Sequence, residues 1–293
     1  NQLSSNLATQ VFQDSNGFIW IATRNGLNIY DGYNFMVIRK TYDNSNGLNS
    51  NYINCITQDE KGRIVLGTNK SLLILNGKRF CNVPMLDSRN KPISTYVTQV
   101  SRLHNGDIAV ATSGYGIMTK KIDANASYAM KGEVEKLKFV HKILEDKQER
   151  LWIILENGKL YRKEKNGKLV SRIMGTEQLT IQDIRQDDKG NIYLATKNDG
   201  VYLLKAGSTA FTKIAGIGNL PIGNIYISRD QRLFIGCDGM GIFVYNPVTG
   251  FLQNNPLFSR EVNLAKSKIT SIIEDFTGNI WVSMLQKGVF MQS

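Results

Sequence analysis

Cysteine and histidine are scarce in this chain of 293 residues, which contains only three and two of them. Cys55, Cys81 and Cys237 form no C-x-x-C motif, and an odd number this small does not make a disulfide framework at this length. We therefore expect three small, buried, free thiols. Neither His104 nor His141 lies within a short spacer of a cysteine, so we predict no metal site and no cofactor.

Long apolar runs and concentrated runs of basic charge are also missing. The longest apolar stretches, such as Leu72 to Leu75, are the size of a strand and far below the roughly 20 residues of a membrane-spanning helix. Lys and Arg outnumber Asp and Glu by 36 to 25, a formal net charge of +11, so the long-range field should attract anionic partners. Because the basic residues are spread along the whole chain, we expect no direct contact with nucleic acid.

The chain is dominated by internal repetition. Residues 6–32 (NLATQVFQDSNGFIWIATRNGLNIYDG) and 268–293 (KITSIIEDFTGNIWVSMLQKGVFMQS) share D-x-x-G-x-I-W, followed by Gly and an apolar pair. The positions equivalent to Trp20 are Val65, Ala109, Trp152, Tyr193, Phe234 and Trp281. Steps of 41 to 47 residues separate these seven copies, which is the period of propeller blades and longer than that of leucine-rich, ankyrin or tetratricopeptide repeats.

The D-x-x-G part of the repeat predicts a tight hairpin turn. An Asp at the first position bonds the backbone of the turn, and a Gly at the fourth tolerates positive φ. Asp14 with Gly17 and Asp275 with Gly278 follow this pattern. Calcium binding is the alternative for these aspartates, but a calcium loop needs six or more oxygen ligands and each copy offers one or two carboxylates.

Four short strands are predicted in each copy, and we name them a to d in chain order. In the first copy they are Gln10 to Gln13, Ile19 to Thr23, Leu27 to Tyr30 and Phe35 to Ile38. Radial repetition of such sheets leaves only short, protected edges. The prediction is an all-β fold: a single seven-bladed β-propeller over residues 1–293, with repeats that start near 3, 48, 93, 137, 178, 220 and 266. Because the last copy ends at strand c, its blade should lack the outer strand or receive one from chain outside this sequence.

Residues 3–32 (LSSNLATQVFQDSNGFIWIATRNGLNIYDG) and 48–68 (LNSNYINCITQDEKGRIVLGT) resemble the two-component regulator propeller repeat. This family forms the extracytoplasmic sensor halves of hybrid two-component systems in gut Bacteroidetes. The resemblance implies a periplasmic sensor module that detects products of polysaccharide breakdown. It also implies a parent chain with a second propeller, a β-sandwich, a membrane helix and a histidine kinase. A homodimer is a further expected partner.

A binding module is the first of two functional hypotheses. Loops between strands b and c should gather at one face of the propeller, and they contain Arg24, Lys70, Tyr115, Lys197, Asp238 and Lys287. Basic side chains are suited to the carboxylates or sulfates of an acidic oligosaccharide, and Tyr52 or Tyr115 could stack on its rings. Because Arg162, Lys163 and Lys165 make another loop equally basic, the alternative that these residues are ordinary solvated loop positions stays open.

An enzyme is the second hypothesis, because streptogramin lyases and some glycan lyases are propellers. Such chemistry needs a placed acid or base, often His with Glu and a metal. His104 is predicted in an a–b turn and His141 within strand a of the fourth copy, so neither is next to a second catalytic candidate. No Ser-His-Asp order, nucleophile elbow or phosphate loop is present. We therefore predict structural histidines, no catalytic residues and a non-enzymatic module.

Overall fold

The computed structural model describes residues 3–254 and 267–293. The first half of the chain forms β1 (Ala8–Gln13), β2 (Ile19–Thr23), β3 (Gly26–Tyr30), β4 (Phe35–Ile38), β5 (Ile53–Gln58), β6 (Ile64–Thr68), β7 (Leu72–Asn76), β8 (Arg79–Val83), β9 (Met85–Leu86), β10 (Pro92–Ile93), β11 (Tyr96–Arg102), β12 (Ile108–Ser113), β13 (Ile117–Lys120) and β14 (Ser127–Ala129). The second half forms β15 (Val140–Glu145), β16 (Leu151–Leu155), β17 (Leu160–Lys163), β18 (Leu169–Val170), β19 (Ile181–Gln186), β20 (Ile192–Thr196), β21 (Val201–Leu204), β22 (Thr212–Lys213), β23 (Ile222–Ile227), β24 (Leu233–Cys237), β25 (Gly241–Tyr245), β26 (Leu252–Asn254), β27 (Lys268–Glu274), β28 (Ile280–Leu285) and β29 (Gly288–Gln292). The helical content is two short 3₁₀ segments, Glu133–Lys136 and Ala215–Ile217.

Seven sheets follow one another along the chain and form a ring, so the predicted seven-bladed β-propeller is confirmed. The sheets begin at β1, β5, β11, β15, β19, β23 and β27, and in each one strands a, b and c are hydrogen-bonded in chain order. The predicted bounds of strands b and d in the first blade match β2 and β4, while strands a and c each begin slightly earlier. The start of the seventh copy near residue 266 lies outside the described residues.

Hydrophobic clusters between neighbouring blades make up the core. Trp20 packs with Ile53 and Ile56 of the second blade, and Trp281 of the last blade packs with Ala8 of the first. Trp152 fills the equivalent position between blades four and five, so the predicted rotational equivalence of the three tryptophans is confirmed. Burial of these large side chains between blades favours the closed ring, because each blade is covered on both faces.

The repeated Asp turn positions the tryptophan side chain as well as the hairpin. Asp146 is fully buried, and one of its carboxylate oxygens accepts hydrogen bonds from the backbone N–H groups of Gln148 and Arg150. The other oxygen accepts from Nε1 of Trp152 at 2.8 Å. The same Asp-to-Trp bond occurs at Asp14 and Asp275. Each of these aspartates therefore holds the turn closed and orients the indole that packs against the next blade.

Blades three and seven depart from four strands. The third sheet contains an additional hairpin, because β9 pairs in parallel with the outer strand β14 and extends the sheet to six strands. The repeat pattern does not predict this hairpin, which has no counterpart in the other described copies. The seventh sheet has three described strands, β27, β28 and β29, in agreement with the predicted thin rim of the last blade. Among the described residues, no helix is long and apolar enough to cross a membrane.

The prediction of three buried thiols is wrong for one cysteine. Cys55 and Cys237 are buried, but Cys81 is exposed. Cys81 lies on β8, the outer strand of the second blade, where three of the five residues are exposed. Burial raises the pKa of both the Cys55 and the Cys237 thiol to about 12, so these two are poor nucleophiles at neutral pH.

Candidate functional site

A β-bulge occurs at the same place in the innermost strand of every blade. In β1 the register shifts between Ala8 and Gln10, and the equivalent shift is present in the other six sheets. The extra residues at the seven bulges are Thr9, Asn54, Thr98, His141, Gln182, Gly223 and Thr270, which we call the bulge ring. A bulge turns its extra residue out of the ladder and re-aims its side chain.

All seven residues of the bulge ring line one central cavity of about 700 Å³. Several of them also connect neighbouring blades. Thr9 Oγ1 donates to the carbonyl of Ile53 at 2.7 Å, and Thr98 Oγ1 donates to the carbonyl of Val140 at 2.6 Å. Thr270 Oγ1 donates to the carbonyl of Ala8 and so joins the last blade to the first. The ring therefore both closes the propeller and gives the cavity a polar wall.

At several bulges, the residue that follows also bridges to the next blade. Gln10 Oε1 accepts from the N–H of Ile56, and Gln99 Oε1 accepts from the N–H of Ile143. Asp183 Oδ2 accepts from the N–H of Ile225 at 2.9 Å. These bonds satisfy backbone groups of the innermost strands that face the cavity.

A buried carboxylate with two cations lies at this level of the wall. The Asp183 side chain is completely buried, with Lys142 Nζ at 3.2 Å and Arg185 Nη1 at 3.6 Å. Burial alone would raise the pKa of Asp183, but Arg185, Lys142 and backbone hydrogen bonds outweigh it and lower that pKa. Burial lowers the pKa of Lys142, and Asp183 partly offsets this effect. Removal of one partner from such a buried ion pair leaves an uncompensated buried charge, which destabilises the fold.

Asn224 connects to the same group and has an unsatisfied atom. Its Nδ2 donates to Asp183 Oδ2 at 3.1 Å, which fixes the orientation of the amide. Its Oδ1 is buried and has no hydrogen-bond partner among residues 3–254 and 267–293. Only 2% of Asn224 is exposed, and the residue lines the cavity. Buried acceptors without partners are rare in folded proteins, and each calls for an explanation.

His141 is the titratable member of the bulge ring. Burial and the neighbouring charge of Lys142 lower its pKa to about 4, so the imidazole is neutral at pH 7. Six charged side chains line the cavity within the part of the chain that the structure describes: Arg24, Lys142, Glu156, Arg185, Asp238 and Lys268. Four are cations and two are anions, so the cavity shares the positive sign of the whole chain.

One edge of the cavity carries an aromatic pair. The guanidinium of Arg24 lies over the ring of Tyr52, 5.3 Å from its centroid, and Tyr52 packs edge-on against Tyr96 at 5.8 Å. Tyr96 also donates its hydroxyl proton to Asn54 Oδ1 at 2.9 Å. The backbone N–H of Arg24 bonds to Leu7 just before β1, which places the first b–c loop beside the start of the innermost strand.

The structure brings together only some of the residues predicted for the ligand site. Arg24 and Asp238 line the central cavity, and Tyr52 contacts Arg24. Tyr115 lines a separate pocket of about 190 Å³ beside the additional hairpin, together with Asp87 and Lys138. In the described ranges, Lys70, Lys197 and Lys287 belong to the walls of neither cavity, although all three lie in b–c loops as predicted.

Sequence reasoning missed the bulge ring, although a signal for it exists. Each ring residue lies eleven positions before the Trp20-equivalent position of its copy, as Thr9 does before Trp20 and Thr270 before Trp281. The self-alignment therefore contained the ring, but nothing in it marked that position as a bulge.

The second histidine, His104, lies in an a–b turn, with Nδ1 3.6 Å from Glu145 Oε2. The described residues contain no group of three or more His, Cys, Asp or Glu side chains that could hold a metal ion.

These features define a seven-bladed β-propeller with a polar, positively charged central cavity. The family model of the two-component regulator propeller matches residues 2–25 and 47–70. The first two copies of the repeat are therefore similar to the two-component regulator propeller repeat, which confirms the resemblance noted in the sequence. No curated protein matches the chain.

Solved structures share the fold at low identity. The extracellular domain of BT3049 from B. thetaiotaomicron, assigned to a hybrid two-component system, is 22% identical with a TM-score of 0.84, and the match covers 99% of this chain and 40% of that one. The extracellular domain of BT4673 from the same organism is 20% identical with a TM-score of 0.77, covering 98% and 38%. Virginiamycin B lyase from Staphylococcus aureus, solved with quinupristin, is 14% identical with a TM-score of 0.74, covering 99% and 97%. The chain thus spans about two fifths of the length of these first two extracellular domains.

Proposed function

We propose that this chain is the ligand-binding part of an extracytoplasmic sensor in a two-component signalling protein, and that it detects saccharides released by glycan breakdown, acidic ones among them. The observation that carries the proposal is the central cavity of about 700 Å³, lined by hydrogen-bonding side chains and four cations. It occurs in a chain whose first two copies match the regulator propeller repeat.

The chemistry of the cavity is suited to such a ligand. Its volume lies within the roughly 300 to 1,000 Å³ of small-molecule sites. Hydroxyl and amide groups of Thr9, Asn54 and Gln182 can exchange hydrogen bonds with sugar hydroxyls, and cations such as Arg24 can pair with carboxylates or sulfates. Tyr52 and Tyr96 offer aromatic faces beside Arg24 on which a sugar ring can stack.

The proposed site differs from the one that the sequence predicted. It retains Arg24 and Asp238, which line the cavity, and Tyr52, which contacts Arg24, and it adds the bulge ring. Lys70, Lys197, Lys287 and Tyr115 are not included, because the described walls of the cavity do not contain them.

The rest of the parent protein is proposed by analogy with the structural relatives. The matches to BT3049 and BT4673 cover 40% and 38% of those extracellular domains. We propose that a second propeller and further domains accompany this chain, that it is located in the periplasm, and that its output passes to a histidine kinase. A homodimer would bring two such outputs together.

A lyase is the competing function, because His141 lines the cavity and virginiamycin B lyase has the same fold. Binding is favoured because a general base works best when its pKa is near the working pH. The pKa of His141 is lowered to about 4 by burial, which makes its neutral imidazole a weak base. Incubation with streptogramins and with polyanionic glycans, followed by mass spectrometry, separates the hypotheses: a cleaved product would establish the lyase.

The direct test is titration calorimetry with a panel of neutral and acidic oligosaccharides at two salt concentrations. We expect an acidic member to bind, with affinity that falls as salt rises. Arg24→Gln should weaken binding about tenfold, whereas the double change Lys70→Ala and Lys197→Ala should have little effect. If the double variant loses as much affinity as Arg24→Gln does, the binding site lies at the loops of Lys70 and Lys197 and not in the cavity.

A further inference from the structure

The cavity wall contains a polar cluster that the closure of the ring does not fully explain. Its members are Lys142, Asp183, Arg185 and Asn224. Asp183 is satisfied by its two cations and by the backbone N–H groups of Ile184 and Ile225. Asn224 Oδ1 accepts nothing from the described residues, although it is buried beside the cavity. This atom can accept one hydrogen bond from a donor that enters the cavity.

Positive charge is in excess around the same wall. Lys142 and Arg185 share the single carboxylate of Asp183, and Lys268 on β27 contributes a third, more exposed cation to the cavity. The positive charge of Lys268 lowers the pKa of both His141 and Lys142, because it disfavours their protonated forms. The field of Lys268 therefore extends across the cavity to β15. An anion placed between these strands would relieve this repulsion.

We infer that this wall is a subsite for a carboxylate group with an adjacent hydroxyl or ammonium donor. The donor bonds to Asn224 Oδ1. The carboxylate pairs with the cations of Lys268, Lys142 and Arg185. The inference rests on the proposed function for entry of a ligand into the cavity, and it names the group that is recognised. Uronic acids and amino acids both carry this combination, and the experiment distinguishes them.

The test is calorimetry of the intact chain at pH 5 with glucuronate, glucose, serine and acetate as probes. Glucuronate should bind, while glucose lacks the carboxylate and acetate lacks the adjacent donor, so both should bind at least tenfold more weakly. Tighter binding of serine than of glucuronate would assign the subsite to amino acids. Equal binding of acetate and glucuronate would overturn the role of Asn224.

Variants locate the subsite. Lys268→Gln, an exposed position, should weaken glucuronate binding about fivefold, and Asn224→Ala should weaken it about tenfold. Lys189→Gln removes the same charge from an exposed a–b turn and should leave affinity unchanged. A thermal unfolding scan separates loss of binding from loss of fold in Asn224→Ala; should that variant not fold, Lys268→Gln alone decides. Unchanged affinity in a folded Lys268→Gln protein would overturn the inference.

Proton uptake gives a second readout that a purely structural role would not produce. His141 faces Lys142 on its own strand, Asp183 on β19 and Lys268 on β27. A bound carboxylate favours the imidazolium and therefore raises the pKa of His141 from about 4. If the bound state has a pKa of ~5, binding at pH 5 takes up about 0.4 of a proton. Titrations in two buffers of different ionisation enthalpy measure this uptake, which His141→Gln should abolish. Uptake that persists in His141→Gln would place the anion elsewhere.

The two proposals fail in different ways. Oligosaccharide binding that is insensitive to Asn224→Ala and Lys268→Gln would overturn the subsite and retain the sensor. Binding of serine with no binding of glucuronate or of any oligosaccharide would retain the subsite and overturn the proposed saccharide sensor.

Discussion

His141 illustrates how a residue of the bulge ring links folding to pH. Its pKa is lowered to about 4 because burial, and then the charge of Lys142, disfavour the imidazolium. The unfolded chain has an ordinary histidine pKa of about 6.5 and therefore binds more protons between these two values. The folded state is thus stabilised fully above pH 6.5, and this stabilisation is lost as the pH falls towards 4.

We predict that His141→Gln removes this component of the pH dependence. Between pH 7 and pH 4.5, the wild-type free energy of unfolding should fall by about 2 kcal/mol more than that of the variant. Urea unfolding of both proteins at the two pH values measures the difference. Other titrating groups are common to both proteins and cancel. Parallel pH dependence of the two proteins would show that His141 is protonated as easily in the folded state as in the unfolded chain.

The three thiols should differ in reactivity in the native protein. Cys81 is exposed, while Cys55 and Cys237 are buried with pKa values raised to about 12. Alkylation without reductant should modify Cys81 in the folded chain and the other two only after denaturation. Mass spectrometry counts the modified thiols. A cysteine that remains unmodified after denaturation until reductant is added would contradict the prediction that all three are free.

At the scale of the element, the aspartate turn joins local and interblade structure. Asp146→Ala should destabilise the protein by about 3 kcal/mol, because it leaves Trp152 Nε1 and two backbone N–H groups without their acceptor. The matched control is Asp123→Ala, which removes an exposed ion pair with Lys61 and should cost far less stability, because surface ion pairs contribute little. Denaturant unfolding compares the two. Equal losses would mean that the buried turn contributes no more than a surface ion pair.

The innermost strands show which local features a sequence can reveal. The alternation of apolar residues and the D-x-x-G turns predicted strands and hairpins, because both depend on residue types at fixed offsets. The bulges did not emerge, because the bulge position is occupied by residues as different as Thr9, His141 and Gly223. A bulge of this kind is set by how neighbouring strands pair and curve around the cavity, which requires contacts between residues over 40 positions apart.

At the scale of the whole molecule, the contacts between the last and first blades make the ring a single unit. Ser271 Oγ accepts from the N–H of Val11 at 2.9 Å, and Trp281 packs with the first blade. Deletion of residues 178–219, one whole copy, should therefore abolish the cooperative unfolding transition, because a closed ring cannot lose a sector. Urea titration followed by near-UV circular dichroism tests this. A deletion variant that unfolds with the wild-type midpoint and slope would argue for independent blades.

Much of the architecture followed from the sequence, while the site did so only in part. The equivalent tryptophan positions and the seven copies came from periodicity alone. The hairpin β9–β10 did not, because it has no repeat partner. The charged group of Lys142, Asp183 and Asn224 also did not, because its members come from three blades and meet only when the ring closes. Selecting basic b–c loop residues recovered Arg24, whose loop lies beside an innermost strand, but also lysines outside the cavity walls.

The most direct test of the account is a crystal structure of the chain with the tightest-binding acidic saccharide of the panel. The account predicts density for the ligand inside the central cavity, in contact with the bulge ring and with Arg24 or Lys268. Ligand density on the outer strands of the blades, or in the pocket beside Tyr115, would contradict the claim that the cavity is the binding site.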